Sequence, residues 1–239
     1  MNTIKFDSKN TRVIAHRGLS GIEKENTNAA FIAAGNRSYF GIETDVHKTA
    51  DGKFVTIHDD STGRVALDNL EVEKSTFDTL RRLLLADRNG VKGREELHIP
   101  TLREYIDTCK RYEKKAVLEL KNEFTKEEIA EICAEINEAE YLENVIFISF
   151  VFDNLVRLRE LFPNCEVQFL IDDYSDELPE RLAKHGFDLD IKYSSLNSEN
   201  IAALKSRGIK INCWTCDDRE KAEELCRLGI DFITSNILE

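Results

Sequence analysis

The sequence has 239 residues, of which 41% are hydrophobic and 33% charged, and its formal net charge is −12. This balance is typical of a globular protein with a sizeable core and excludes a disordered chain. The negative charge argues against nucleic acid as a partner, because phosphate backbones are neutralised by Lys and Arg. The first residues do not resemble a secretion signal, and no run approaches the roughly 20 apolar residues of a membrane span. We therefore expect a cytoplasmic protein without a membrane anchor, and composition makes no prediction of its oligomeric state.

Short apolar runs rich in β-branched residues alternate with amphipathic segments along the whole chain. The runs predict nine strands, at Val13–His16, Gly41–Val46, Phe54–His58, Ala116–Lys121, Val145–Phe150, Val167–Ile171, Leu189–Tyr193, Ile209–Trp214 and Asp231–Ser235. The amphipathic segments predict helices that include Lys126–Glu138, Asp153–Leu161, Ser198–Arg207 and Arg219–Leu228. Repeated alternation of strand and helix indicates a parallel sheet.

The third predicted strand is too close to the second for a parallel crossover. Only residues 47–53, which include the turn sequence Asp51-Gly52, separate the two strands. Parallel strands need a connection of about a dozen residues or more, so this turn predicts an antiparallel ribbon. The eight remaining strands predict a TIM (β/α)8 barrel, which fits the chain length. We expect residues 1–239 to form one domain, in which residues 59–100 are a small insertion with a helix around Ser75–Leu85.

Three acidic residues stand at the ends of neighbouring predicted barrel strands. Glu43 and Asp45 are two residues apart on one strand, so both side chains leave the same face. Glu119 ends the next barrel strand and can point to the same place. Three carboxylates form a hard-oxygen site, which predicts Mg²⁺ or Ca²⁺ as a cofactor rather than zinc. The alternative is that the carboxylates are solvated separately or pair with Arg17 or Lys121.

Two histidines also end strands close to these carboxylates. His16 ends the first predicted strand and His58 ends the ribbon. Imidazoles titrate near neutral pH, so one ring can accept a proton while the other donates one, and we interpret the pair as catalytic. Arg17 and Lys121 are predicted to bind phosphoryl oxygens, since Arg in particular suits bidentate contact.

The remaining candidates are weaker. His47 shares the strand face of Glu43 and Asp45, and a contact behind the site or to substrate is one interpretation. His98 and His185 are expected to be ordinary surface residues. Trp214, the only tryptophan, is placed at the barrel mouth, where core packing competes with a role as an apolar wall for substrate.

Taken together, the motifs of this chain resemble those of the glycerophosphodiester phosphodiesterase family. The resemblance spans nearly the whole chain in the family's order, and its first sixty residues are the most specific. It rests on His16-Arg17-Gly18, Glu25-Asn26-Thr27, Ala30-Phe31, Gly41-Ile-Glu43-Thr-Asp45-Val, Asp51-Gly52, His58-Asp59, Ile99-Pro100-Thr101-Leu102-Arg-Glu104, Leu118-Glu119-Leu120-Lys121, Trp214-Thr215 and Gly229-Ile-Asp231.

The resemblance implies a TIM barrel with a small insertion, a divalent metal, and hydrolysis of glycerophosphodiesters to glycerol 3-phosphate and an alcohol. It implies acid–base roles for His16 and His58 and metal ligation by Glu43, Asp45 and Glu119. The same resemblance places Glu25 at another characteristic position, where it would orient Arg17 or the substrate.

The chain departs from the family pattern at three places. Lys24 stands where a proline usually precedes Glu-Asn-Thr, and we expect this to alter the rigidity of the loop more than its chemistry. The insertion is short and lacks the usual Thr/Gly-rich stretch, which bears on substrate specificity. Thr234-Ser235-Asn236 replaces a usual Thr-Asp followed by a nearby proline, with little catalytic consequence expected.

Several alternatives stay open at this point. The same residues serve a lysophospholipase D-type activity or a cyclising lyase, and an apolar surface around the mouth would favour lipids. A catalytically inactive phosphate-binding barrel is a further alternative, which the loss of a histidine or carboxylate would favour. The identity of the alcohol, Mg²⁺ or Ca²⁺, water or the substrate 2-hydroxyl as nucleophile, and the order of the two histidines are all open.

Overall fold

The computed structural model describes residues 2–91 and 94–239 and confirms the barrel. Eight of the nine strands in these residues are parallel, and β1 pairs with both β2 and β9, so the sheet closes on itself. The strands are β1 (Arg12–Ala15), β2 (Gly41–Lys48), β3 (Phe54–Thr56), β4 (Lys115–Leu120), β5 (Val145–Ser149), β6 (Glu166–Ile171), β7 (Asp188–Lys192), β8 (Ile211–Trp214) and β9 (Phe232–Ser235).

Seven helices connect the barrel strands, and one short helix lies in the insertion, among the residues described. They are α1 (Asn28–Gly35), α2 (Phe77–Arg81), α3 (Leu102–Arg111), α4 (Lys126–Glu138), α5 (Phe152–Leu161), α6 (Leu178–His185), α7 (Ser198–Lys205) and α8 (Arg219–Arg227). Thr101 and Thr125 begin α3 and α4 with capping boxes, which fix where these helices start. None of the helices in the described ranges has both the length and the apolar character needed to cross a membrane.

The ribbon predicted after the second strand is confirmed. β3 pairs with β2 in antiparallel register, with Val46 opposite Thr56 and Lys48 opposite Phe54. Gly52 in the turn has a φ of 75°, a conformation that glycine adopts without the steric cost of a side chain. β3 ends at Thr56, so His58 lies two residues past the strand rather than at its last position.

The insertion has a small core of its own. Eight buried apolar residues form this core. Burial of each such side chain stabilises the fold by about 1.5–3 kcal/mol. The eight residues are Val55, Ile57, Val65, Val72, Leu80, Leu85, Leu97 and Ile99. Two of them, Val55 and Ile57, belong to the segment that leads to His58. The insertion is therefore packed onto the chain that carries a candidate site residue.

The predicted helix around Ser75–Leu85 is wrong in its length. The observed helix, α2, begins after the N-cap Thr76 and ends at Arg81. Beyond it, the Leu85 N–H donates to Leu97 O at 3.1 Å, and Leu85 forms an isolated bridge with Ala66. Pairing between distant parts of the insertion satisfies this backbone, so the helix stops although its sequence pattern continues.

Candidate active site

Three buried carboxylates meet at the carboxyl ends of β2 and β4. Glu43, Asp45 and Glu119 are 3%, 1% and 6% exposed, and each offers one oxygen within 4.8 Å of the others. Asp45 and Glu119 are register partners, so the parallel pairing of the two strands sets their approach. Within the described ranges, no group donates a hydrogen bond to the buried Asp45 Oδ1. These residues fit a divalent cation, because hard cations bind oxygen ligands and compensate buried negative charge.

The carboxylates have opposed pKa shifts. Burial, reinforced by the charge of Asp45, raises the pKa of Glu43 well above its ordinary value and that of Glu119 to about 8. Burial also disfavours ionised Asp45, but the charges of Arg17 and Lys121 prevail and hold its pKa below the usual range. Carboxylates this close together repel one another when all of them are ionised. A bound cation would compensate that negative charge.

Two backbone-strained residues hold these carboxylates in place. The Asn26 Nδ2 donates to Asp45 Oδ2 at 2.8 Å, and the Arg17 N–H donates to Glu43 Oε2 at 2.7 Å. Arg17 and Asn26 have φ values of 53° and 51°, in the left-handed region, which Asn tolerates better than most residues. In the sequence Asn26 stands out as part of the motif Glu25-Asn26-Thr27, and its position next to Glu25 was the available signal for a role in the site.

His16 lies directly after β1, and both of its ring nitrogens face groups of the site. Its Nδ1 lies 2.8 Å from Asn236 Oδ1, and its Nε2 lies 4.0 Å from Glu43 Oε2. The Asn236 amide nitrogen donates to Asp217 Oδ2 at 2.6 Å, which orients the amide so that its oxygen accepts from His16. The His16 Nδ1 therefore carries the proton and Nε2 has a free lone pair. Burial lowers the pKa of His16 to about 4.

His58 has a carboxylate as its partner instead of an amide. Its Nδ1 lies 2.6 Å from Asp59 Oδ1, and Arg64 binds the other oxygen of Asp59 through Nε at 2.6 Å. Burial lowers the pKa of His58, although the negative charges of Asp45 and Asp59 oppose this effect. The His58 Nδ1 therefore carries a proton, and the remaining nitrogen is available to the cavity.

Two cationic side chains lie against the carboxylates. The Arg17 Nη1 contacts Glu25 Oε1 at 2.9 Å, and its Nε lies 3.7 Å from Asp45 Oδ2. The Lys121 Nζ lies 3.0 Å from Glu119 Oε1 and 3.6 Å from Asp45 Oδ1. Both side chains are largely buried, so their charges act with little screening by solvent. Arg17 and Lys121 can thus hold anionic groups near a bound cation.

One cavity of about 100 Å³ brings most of these residues together. Its wall includes His16, Arg17, Glu43, His58, Glu119 and Trp214, and further lining residues are Ile148, Phe150, Leu170, Asp190, Thr215 and Thr234. The rings of Phe150 and Trp214 meet edge to face with centroids 5.7 Å apart, and they form an apolar side of the cavity. Asp45 and Glu25 contact Arg17 of this wall, and Lys121 contacts Glu119.

Four polar residues at or behind this cavity were not among the site residues predicted from the sequence. Asn26, Arg64 and Asn236 bind candidate residues directly, and Asn236 does so although little consequence was expected at its position. Asp190, on β7, is buried in the cavity wall, and burial raises its pKa well above the ordinary value. An acidic residue inside an apolar strand was the only signal for Asp190, because its neighbours come from other strands.

The three other histidines have different surroundings. His47 is fully buried on β2, and its Nε2 lies 3.4 Å from the carbonyl oxygen of His58, so it supports the segment behind the cavity. The His98 Nδ1 lies 3.2 Å from Leu83 O. The ring of His185 packs against Phe152 with centroids 5.0 Å apart. Neither His98 nor His185 is part of the cavity wall.

Comparisons with known proteins agree with this geometry. The model of the glycerophosphoryl diester phosphodiesterase family matches residues 16–238. A glycerophosphodiester phosphodiesterase of Caldanaerobacter subterraneus is 30% identical over 232 residues, which are 95% of this chain and 94% of that protein.

Two solved structures are also similar to the chain over nearly its full length. An Oleispira antarctica phosphodiesterase in complex with the product sn-glycerol-3-phosphate has a TM-score of 0.83 and 27% identity, with 98% of this chain and 96% of that one covered. A Parabacteroides distasonis glycerophosphodiester phosphodiesterase has a TM-score of 0.78 and 31% identity, with 95% and 93% covered. The chain belongs to the glycerophosphoryl diester phosphodiesterase family.

Proposed function

We propose that this protein hydrolyses glycerophosphodiesters to glycerol 3-phosphate and an alcohol, with a divalent cation as cofactor. The observation that carries the proposal is the single cavity in which buried carboxylates, two imidazoles and a guanidinium converge. A phosphodiester needs charge stabilisation at its oxygens and proton transfer at both ends of the displacement. The similar Oleispira antarctica enzyme, which has glycerol 3-phosphate as a product, supports the choice of substrate class.

Glu43, Asp45 and Glu119 would hold the cation. An all-oxygen set of this kind suits Mg²⁺ and Ca²⁺ alike. A cation held there would supply positive charge to stabilise the charge that develops on a phosphoryl oxygen. Asn26 and the backbone of Arg17 orient two of the carboxylates, so these ligands are held in position by the fold.

We assign the base to His16 and the acid to His58. The neutral amide of Asn236 binds the His16 Nδ1 proton and leaves the basic nitrogen free to accept the proton of the nucleophile. The carboxylate of Asp59 favours the charged form of His58, which can donate to the departing alcohol oxygen. The different partners of the two rings support this assignment of base and acid. Water is the simplest nucleophile from which His16 would take the proton.

The cations and the aromatic pair would position the substrate. Arg17, oriented by Glu25, and Lys121 would bind the phosphoryl oxygens through charge-assisted hydrogen bonds. Phe150 and Trp214 would contact the carbon skeleton of the substrate on the apolar side of the cavity. Phe150 is 42% exposed at the mouth, an observation that keeps a lysophospholipid as the second candidate substrate.

One set of incubations tests the proposal. The protein is incubated with glycerophosphocholine, glycerophosphoethanolamine or a lysophospholipid, with and without EDTA. Glycerol 3-phosphate is assayed for the first two substrates and lysophosphatidic acid for the third. We expect release from the first two substrates, loss of release with EDTA, and recovery when Mg²⁺ or Ca²⁺ is added. Activity that survives thorough metal removal contradicts the metal assignment. A cyclic phosphate in ³¹P spectra identifies the lyase alternative, turnover of the lysophospholipid alone identifies the lipid alternative, and no turnover of any substrate identifies an inactive barrel.

A further inference from the structure

Arg64, in the insertion, forms a bridge between the two sides of the candidate active site. Its Nη1 and Nη2 donate to Glu25 Oε2 and Oε1 at 2.7 and 2.9 Å. On its other edge, Nε and Nη2 donate to Asp59 Oδ2 and Oδ1 at 2.6 and 3.1 Å. A guanidinium presents donors in a planar fork on two edges, whereas the ammonium of lysine is a point charge. Of the two basic side chains, only arginine can therefore bind both carboxylates in this way.

Both carboxylates bound by Arg64 make their next contact with a residue of the proposed machinery. Glu25 Oε1 also accepts from Arg17 Nη1 at 2.9 Å, on the side where phosphoryl oxygens would bind. Asp59 Oδ1 lies 2.6 Å from His58 Nδ1, on the side of the proposed acid. Arg17, Glu25, Arg64, Asp59 and His58 thus form a continuous chain of hydrogen bonds, which we name the Arg64 bridge.

The backbone around Arg64 is anchored by the insertion. Thr62 is fully buried, and its carbonyl oxygen accepts from the N–H groups of Val65 and Ala66 at 3.0 and 2.8 Å. Val65 is buried in the insertion core, and its carbonyl oxygen accepts from Ala86 at 2.9 Å. The position of Arg64 is therefore set by packing in the insertion, at a distance of 39 residues along the chain from Glu25.

We propose that Arg64 is a positioning residue that holds Arg17 and His58 in register through Glu25 and Asp59, and that the insertion serves catalysis through it. This inference rests on the proposed function. Exposed ion pairs contribute little to stability, and the Arg64 side chain is 44% exposed. Removal of Arg64 should therefore cost little stability. It would, however, leave the side-chain conformations of Glu25 and Asp59 without their Arg64 hydrogen bonds, next to the reacting groups.

Steady-state kinetics of Arg64→Ala and Arg64→Lys on glycerophosphocholine test the inference. We expect both variants to lose activity by about 10–100-fold in kcat/KM, the range for residues that orient active-site groups. Arg64→Lys should be nearly as impaired as Arg64→Ala, because it restores the charge and not the fork. Because Arg64 is partly exposed, added guanidinium ion at millimolar concentration should raise the rate of Arg64→Ala and leave that of Arg64→Lys unchanged.

Arg103→Ala is the matched control. Arg103 forms an exposed ion pair with Asp107 within α3, so its removal deletes an arginine pair of the same kind away from the cavity. We expect wild-type kinetics for this variant. Full activity of Arg64→Lys overturns the inference, because charge alone would then suffice. Thermal destabilisation of Arg64→Ala without rescue by guanidinium also overturns it, since Arg64 would then be structural.

A spectroscopic measurement separates this inference from the proposed function. The His58 Nδ1 proton, which is shared with Asp59, should give a downfield ¹H signal that shifts in Arg64→Ala and is unchanged in Arg103→Ala. That shift can be observed even if no glycerophosphodiester is turned over, in which case the proposed function fails and the bridge stands. An unchanged signal in Arg64→Ala contradicts the bridge itself.

Discussion

His16 and His58 differ in the partner that binds Nδ1, and this difference carries more chemical information than their shared position at the cavity. An amide oxygen adds no charge beside His16, whereas a carboxylate beside His58 stabilises the imidazolium. Burial lowers the pKa of both rings, but only at His58 does the partner of Nδ1 carry a charge that opposes this effect. Of the two rings, His16 is therefore the better suited to accept a proton and His58 to donate one. The two roles can be separated experimentally by changing the leaving group.

We predict that His16→Gln and His58→Gln each lower kcat on glycerophosphocholine by about 10²–10⁴-fold, the usual contribution of general acid–base catalysis. The glycerophosphodiester of p-nitrophenol should discriminate between the variants, because its leaving group departs without a proton. His58→Gln should recover most of its activity on this substrate, while His16→Gln should stay impaired. Recovery of His16→Gln instead would reverse the assignment, and circular dichroism checks that both variants are folded.

At the scale of elements, the connection between β1 and α1 (residues 16–27) brings several site groups together. The Gly18 N–H donates to Glu43 O at 3.2 Å, and the Leu19 N–H donates to Ala30 O at 3.0 Å, so the loop is bound to both β2 and α1. Gly18 has a φ of 74°, and a Cβ at this position would lie 2.7 Å from the carbonyl carbon of Ala30. The glycine is therefore required by conformation and by close packing together.

We predict that Gly18→Ala destabilises the protein more than Gly186→Ala. Both glycines have positive φ, which costs a side chain about 1–2 kcal/mol. Of these two glycines, Gly18 is the one where a new Cβ meets backbone, which adds a cost of about 1–3 kcal/mol for overpacking. At Gly186 no described residue beyond its chain neighbours lies within 4 Å of the new Cβ. Urea unfolding measures the difference, and equal midpoints for the two variants would contradict it. Gly18→Ala should also lose activity, because the adjacent Arg17 N–H holds Glu43.

At the scale of the whole molecule, the pairing of β2 with β4 in the barrel brings three carboxylates together in a protein that already carries a net charge of −12. Glu43 and Glu119 have raised pKa values in the folded chain, so their ionisation opposes folding in the absence of metal. This penalty is absent below the unfolded pKa, about 4.5, and grows as the pH rises toward the folded value, about 8 for Glu119. A bound cation would remove it.

We therefore predict that the metal-free protein loses stability between about pH 5 and pH 8, and that Mg²⁺ or Ca²⁺ restores it. The melting temperature with metal minus that with EDTA should be small near about pH 5 and exceed roughly 5 °C near about pH 8, since about 1 kcal/mol corresponds to 2–4 °C at this size. Differential scanning calorimetry measures the difference. Glu119→Gln is the control, and its response to metal should be weaker. A metal effect that is equal at both pH values would contradict the charge-crowding argument.

Much of this architecture follows from local physics. Alternation of strands and helices and the seven-residue link at Asp51-Gly52 were enough to predict eight parallel strands with an antiparallel ribbon, because a link so short cannot make a parallel crossover. Element ends were less predictable. β1 ends at Ala15 and α2 ends at Arg81, earlier than predicted, because contacts with distant residues and not local pattern decide where backbone pairing stops.

The sequence by itself determined which residues could carry chemistry: the period-two spacing of Glu43 and Asp45, Glu119 on the next barrel strand, and the histidines that follow β1 and β3. Only the tertiary structure decided how these groups are oriented. Asn236 meets His16 from 220 residues along the chain and Arg64 meets Glu25 from 39 residues, while Asp190 reaches the cavity wall from β7. Contacts of this kind join residues that are close in space but have no regular spacing in the sequence. No spacing rule along the chain could therefore reveal them.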